Sequence, residues 1–287
     1  MKTILAKILL TATLPLSASL ALATDYDFQS QTAGAATTGS GITVFRTSPA
    51  LVNIAASGTT PVDAFGGTGN QSLYLSSTAS GGAQAQLSLS STAITSGTLS
   101  FDLYVVGTGT TPGLIEIDLG NPSSGSSSSQ RSASIAALQV WTNDTTTTDS
   151  SHTAAGHFLG FMGGISGGSN LYAFNQTVLI GAKNTMSISW DATANTYSIL
   201  LNGVTVTQGT SSIVSTFVQT TEQSGVTGVR FTTSNASSTS YFIDNITVSS
   251  IPEPSTTAGL VGAAVGMVAL CRRRSVTKRR HNVAQQG

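Results

Sequence analysis

The chain has 287 residues, 39% hydrophobic and only 8% charged, with 30 glycines and one cysteine. Its formal charge is zero, but most of the bases sit at the ends. Between Asp25 and Ser250 eleven acids (Asp25, Asp27, Asp63, Asp102, Glu116, Asp118, Asp144, Asp149, Asp191, Glu222 and Asp244) face four bases (Arg46, Arg131, Lys183 and Arg230), which leaves minus seven. That balance offers no basic patch to nucleic acid, and with its one cysteine at Cys271 the central region has neither a disulfide nor a catalytic thiol.

The N-terminus carries Lys2 and Lys7, an apolar run from Ile8 to Leu22, and small residues at Ala21 and Ala23. Charge, then an apolar run, then an A-x-A pattern is the layout of a secretory signal peptide, cleaved after Ala23. Residues 1–23 are therefore expected to be removed. The stretch 24–250 that follows is of a size that forms one sandwich or barrel domain. Ser, Thr, Gly and Asn hold positions that charged residues, about 25% of an ordinary soluble domain, would otherwise take. Such a surface suits an extracellular setting among polysaccharide. Clean apolar alternation argues against disorder.

Period-two alternation predicts strands at 86–90, 99–105, 114–119, 134–141, 186–190, 197–201, 229–233 and 242–248. In the second of these Leu99, Phe101, Leu103 and Val105 share one face, and Ser100, Asp102 and Tyr104 the other. In the third, Glu116 and Asp118 project together, and the run from Glu116 to Gly120 resembles the E-x-D-x-E strand of concanavalin A-like glycoside hydrolases. Gly120 stands where that pattern carries its acid/base. Retaining hydrolysis needs two carboxyl groups about 5–5.5 Å apart, so Glu116 and Asp118 are read as solvent-facing positions of an edge or outer-face strand. Trp141 ends a predicted strand ahead of a polar loop and is the candidate for stacking on a sugar, whereas Trp190 shares a face with Met186 and Ile188 and is assigned to the core. His152 and His157, with Asp144 and Asp149, match no zinc spacing.

The clearest local unit runs from Met186 to Thr207, where two alternating strands flank a turn at 191–195 and the dipeptide Asn202-Gly203 marks a type I′ hairpin. Three consecutive antiparallel strands are expected here. With the closing strand around Asp244 and Asn245, this unit resembles the laminin G and concanavalin A-like jelly-roll sandwiches. The resemblance implies an all-β, antiparallel β-sandwich in which the two terminal strands come together. Asp25, Asp27, Asp244 and Asn245 would then be candidate calcium ligands, as hard oxygen donors suit that ion; no other cofactor is indicated.

The chain finishes with Pro252-Glu253-Pro254, an apolar segment from Ala258 to Cys271, and Arg272, Arg273 and Arg274 ahead of Lys278, Arg279 and Arg280. The apolar segment falls short of the roughly 20 residues of a membrane-spanning helix, and the basic block holds the tail in the cytoplasm. In that order these three parts resemble the PEP-CTERM sorting signal of Gram-negative bacteria, assigned to 251–287. The resemblance implies a transmembrane-like helix, transient anchoring in the inner membrane and processing by an exosortase, followed by delivery to the outer envelope, cell surface or extracellular matrix. The sequence thus favours an exported, non-enzymatic sandwich with a structural or adhesive role and glycan binding as its candidate activity. Its alternatives are a glycoside hydrolase or lyase, with Glu116 paired to Asp102 or Glu222, and a matrix protein with no ligand.

Overall fold

The computed structural model of the chain describes residues 23–26, 28–39, 41–46, 50–78, 81–106, 113–122, 133–141, 157–161, 171–208, 216–218, 224–233 and 239–250. The expected sorting segment at 251–287 and all of the expected signal peptide except Ala23 lie outside these residues. Among the described residues no helix is long and apolar enough to cross a membrane.

In chain order the strands are β1 (Ala23–Tyr26), β2 (Gly34–Ala35), β3 (Ile42–Arg46), β4 (Leu51–Ala56), β5 (Gln71–Ser76), β6 (Ala83–Ser88), β7 (Ser96–Val106), β8 (Leu114–Gly120) and β9 (Ser134–Trp141). They continue with β10 (His157–Phe161), β11 (Leu171–Thr177), β12 (Lys183–Asp191), β13 (Thr196–Leu201), β14 (Val204–Thr205), β15 (Phe217–Val218), β16 (Gly228–Thr233) and β17 (Ser240–Ser250). A ten-stranded sheet has the order β14-β13-β12-β7-β17-β5-β4-β2, with β1 also on β17 and β15 also on β13; a seven-stranded sheet has the order β11-β10-β9-β8-β16-β6-β3. The ladders between these strands are antiparallel, so the chain is an all-β antiparallel sandwich, as its alternation predicts.

The core lies between the inner faces. Leu99, Phe101, Leu103 and Val105 of β7 are buried there with Ile188, Trp190, Tyr197 and Ile243, against Ile115, Ile117, Leu119, Leu138, Val229 and Phe231 of the smaller sheet. Phe101 meets Phe231 edge-on across the interface, with centroids 5.4 Å apart. Each such side chain contributes about 1.5–3 kcal/mol on burial. Trp190 is buried as expected, and its indole Nε1 donates to Ile94 O at 3.0 Å.

Every predicted strand has a counterpart, several of them longer than the alternation suggested, but the one expected at 86–90 runs instead over Ala83–Ser88. The expected three-stranded unit is β12-β13-β14, with Trp190 opposite Tyr197. Asn202 and Gly203 have φ of 53° and 78°, the pair of positive values a type I′ turn requires. The structure adds β1 to β5 ahead of the first predicted strand. In β4, Val52 to Ala56 are all buried, so its sequence does not alternate. Strand β17 lies inside the larger sheet, paired with β7 along one edge and, along the other, first with β5 over 240–243 and then with β1 over 246–249. Its register slips between Asp244 and Thr247, where Asn245 takes φ of 52°. This bulge stands where one neighbour gives way to the next.

Candidate functional site

Side chains alternate along a strand and paired residues stand side by side. The outward face of the ten-stranded sheet is therefore ordered in rows that cross the strands. One row is Lys183, Tyr104, Phe242 and Tyr74; the next is Thr185, Asp102 and Asp244. Beyond them come Ser187, Ser100 and Thr247, and then Ser198, Ser189, Thr98 and Ser249.

The first row is aromatic. Tyr74 and Phe242 lie tilted against each other with centroids 4.8 Å apart, Tyr104 meets Phe242 edge-on at 6.3 Å, and Phe65, from the β4–β5 loop, meets Tyr104 edge-on at 6.3 Å. Phe242 is buried and the other three are half-buried. The result is a supported aromatic ridge with part of its surface open.

The second row is acidic and heavily hydrogen-bonded. Asp102 accepts from Thr185 Oγ1 at 2.8 Å and Asn245 Nδ2 at 2.7 Å, and its Oδ2 lies 2.7 Å from Lys183 Nζ. Burial pushes its carboxyl upward, but Lys183 and the two neutral donors outweigh that and hold it below the ordinary value. Asp244 accepts from Asn245 N at 2.8 Å and Asn70 Nδ2 at 3.2 Å, and Asn70 Nδ2 also donates to Asp63 Oδ2 at 2.9 Å. Burial raises the Asp244 carboxyl, with Asp63 and Asp102 adding to the effect against the donors from Asn245 and Asn70. The sequence does not single out Asp63, Asn70 or Lys183 for this site, because they reach the row from a loop and a neighbouring strand far away in the chain.

Of the candidate calcium ligands, Asp244 and Asn245 are adjacent and engaged in these bonds. Asp25 is exposed on β1 opposite Thr247, and Asp27 lies outside the described residues. Among the described residues no three His, Cys, Asp or Glu side chains converge as a metal site would need. Trp141 ends β9 opposite Leu114 and is half-buried, on the outward face of the seven-stranded sheet.

That same face holds Glu116 and Asp118, and here the expectation of solvent-facing positions is corrected. Strand β8 is interior, between β9 and β16, and Glu116, Asp118 and Arg230 are 4%, 0% and 1% exposed. Register explains it, since Arg230 of β16 stands opposite Asp118. Arg230 Nε donates to Asp118 Oδ2 at 2.9 Å, while Nη2 donates to the same oxygen and, at 3.0 Å, to Glu116 Oε1. Burial, with the Glu116 carboxylate beside it, pushes the Asp118 carboxyl well above the ordinary value despite Arg230, and Asp118 Oδ1 meets no donor.

Gly120 closes this strand under steric constraint. A Cβ there would lie 2.4 Å from Ala133 O and 2.6 Å from Ser134 Cα, both backbone atoms. The position that carries the acid/base in the E-x-D-x-E pattern therefore has no room for a side chain. Asp102 and Glu116 project outward from opposite sheets with the core between them, so they cannot act on one substrate atom; Glu222 lies outside the described residues.

No protein-family model matches the chain, and no curated protein matches it in sequence. Solved structures to which it is similar include a sialidase (14% identity, TM-score 0.48), with 81% of this chain covered but only 19% of the sialidase. Others are the carbohydrate recognition domain of Emp47p (12% identity, TM-score 0.47, covering 81% of this chain and 98% of that one) and peanut lectin with a 9mer peptide (12% identity, TM-score 0.44, 80% and 97%).

Proposed function

We propose that the chain is an exported, non-enzymatic surface protein of the laminin G and concanavalin A-like kind, sorted by an exosortase, that binds glycan through the outward face of its ten-stranded sheet. The observation that carries glycan binding is the ridge of Phe65, Tyr104 and Tyr74, half-open beside the amides of Asn245 and Asn70, which the buried Asp102 and Asp244 hold in place. Sugar rings present apolar C–H faces edged by hydroxyls, so a site for them joins an aromatic surface to charged or amide hydrogen-bonding groups. The absence of catalysis is inferred from Glu116 and Asp118, both committed to Arg230 and out of reach of solvent.

Sorting rests on the order of Pro252-Glu253-Pro254, the apolar segment and the arginines. The experiment is binding and turnover of polysaccharide, side by side, with the purified full-length chain, in calcium and in chelator. Saturable binding without released sugar, weakened at least tenfold by Tyr104→Ala, is the expected result. Released sugar would show an enzyme instead, and no binding would leave a matrix protein without a ligand. For sorting, replacing Pro252, Glu253 and Pro254 together by alanine should leave the chain unprocessed in the inner membrane, read as a larger mass in that fraction.

A further inference from the structure

Two further rows of the same sheet face lie beside the aromatic and acidic rows and are built largely of hydroxyl side chains. Ser187, Ser100 and Thr247 form one, flanked by the exposed Leu200 on β13 and the exposed Asp25 on β1, and Ser198, Ser189, Thr98 and Ser249 form the other. All seven hydroxyl residues are half-buried or exposed. Thr98 Oγ1 and Ser189 Oγ are 2.9 Å apart, and Ser100 Oγ donates to Ser187 Oγ at 2.9 Å. Each coupled pair keeps lone pairs, and the accepting hydroxyl keeps its proton, so both donors and acceptors are offered outward. Neighbouring strands are about 4.8 Å apart, so a row from β13 to β17 spans about 14 Å.

Charge decides what fits. The exposed carboxylates of the face are Asp25, opposite Thr247, and Asp191, opposite Ser96 and Thr196, while Asp63, Asp102 and Asp244 are buried and Lys183 pairs with Asp102; the seven hydroxyl residues are uncharged. An acidic polymer would be repelled by the carboxylates and would find no cation in the rows. An uncharged, hydroxyl-rich polymer exchanges hydrogen bonds with them at no electrostatic cost.

We propose that these hydroxyl rows form a track for an extended, uncharged polysaccharide that crosses the strands and runs alongside the aromatic ridge. The proposal rests on the glycan-binding reading above and deepens it, since it names the ligand class and the direction of the chain.

The test compares a neutral glucan with a polyuronate of equal length, using the full-length chain and two variants: Thr98→Val with Ser189→Ala, which removes hydroxyls and leaves the ridge intact, and Tyr104→Ala. A circular dichroism spectrum checks that each variant keeps the fold. The expected result is binding of the glucan and not the polyuronate, with affinity that rises with oligomer length until the track is spanned and falls tenfold or more in the hydroxyl variant. Glucan binding unchanged in the hydroxyl variant but lost in Tyr104→Ala would overturn the track and keep the ridge. Equal or tighter binding of the polyuronate would overturn the ligand class. Binding of neither polymer would overturn the glycan reading itself, and the track with it.

Discussion

A guanidinium shared by two carboxylates on the neighbouring strand is sensitive to the loss of any one member. Removing Arg230 leaves Glu116 and Asp118 buried without a counter-charge, and breaking a buried pair in this way costs about 3–5 kcal/mol. Arg230→Met should lower the denaturant midpoint accordingly, and adding Glu116→Gln and Asp118→Asn should recover most of the loss. Asp118 also predicts a pH dependence. Its carboxyl lies well above the ordinary value of 3.8 in the folded chain, so it binds a proton more tightly folded than unfolded. The stability it contributes is present in acid and is lost as pH rises from the ordinary carboxylate value through the raised one. Asp244 acts in the same sense and Asp102, held low, in the opposite one. Asp118→Asn cannot ionise. Relative to wild type it should therefore gain stability between about pH 4 and neutrality, measured as the difference in thermal midpoints; a constant difference would refute the assignment.

At the scale of the element, turns and bulges set which face each row occupies. Gly203 holds φ of 78° in the β13–β14 hairpin, a region where an L-residue costs about 1–2 kcal/mol. Gly203→Val should lower the thermal midpoint by a few degrees, whereas Val204→Thr, at an exposed position, should leave it nearly unchanged. Local chemistry of this kind is legible in a sequence: Asn202-Gly203 announced its turn, and the alternation of β7, β12 and β13 announced which residues are inward. Pairing was not legible. Nothing near Glu116 indicates that Arg230, 114 positions on, arrives opposite Asp118, and without that partner two carboxylates on an alternating strand look exposed. The acidic row was half-visible for the same reason. Asp244 and Asn245 are neighbours in the chain, whereas Asp63 and Asn70 join them only through the folded β4–β5 loop. Strand β4 was hidden because it is buried on both faces and does not alternate.

For the molecule as a whole, stability rests on the core between two sheets with no covalent help. Cys271, the one cysteine, lies outside the described residues, so the unfolding midpoint of the monomer should not move when a reductant is added. The larger sheet also depends on its last strand. Strand β17 separates β7 from β5 and β1, and without it the two halves of that sheet share no ladder. A chain ending before Ser240 should therefore fail to give a cooperative unfolding transition. The position of β17 also has a consequence in time. Whether the chain leaves a ribosome or threads through a pore, it emerges N-terminus first, and the strand that joins the halves of the larger sheet is the last part of the domain to appear. Until then the larger sheet stays in two parts, so the order of its strands delays closure of the domain until nearly all of its residues have emerged.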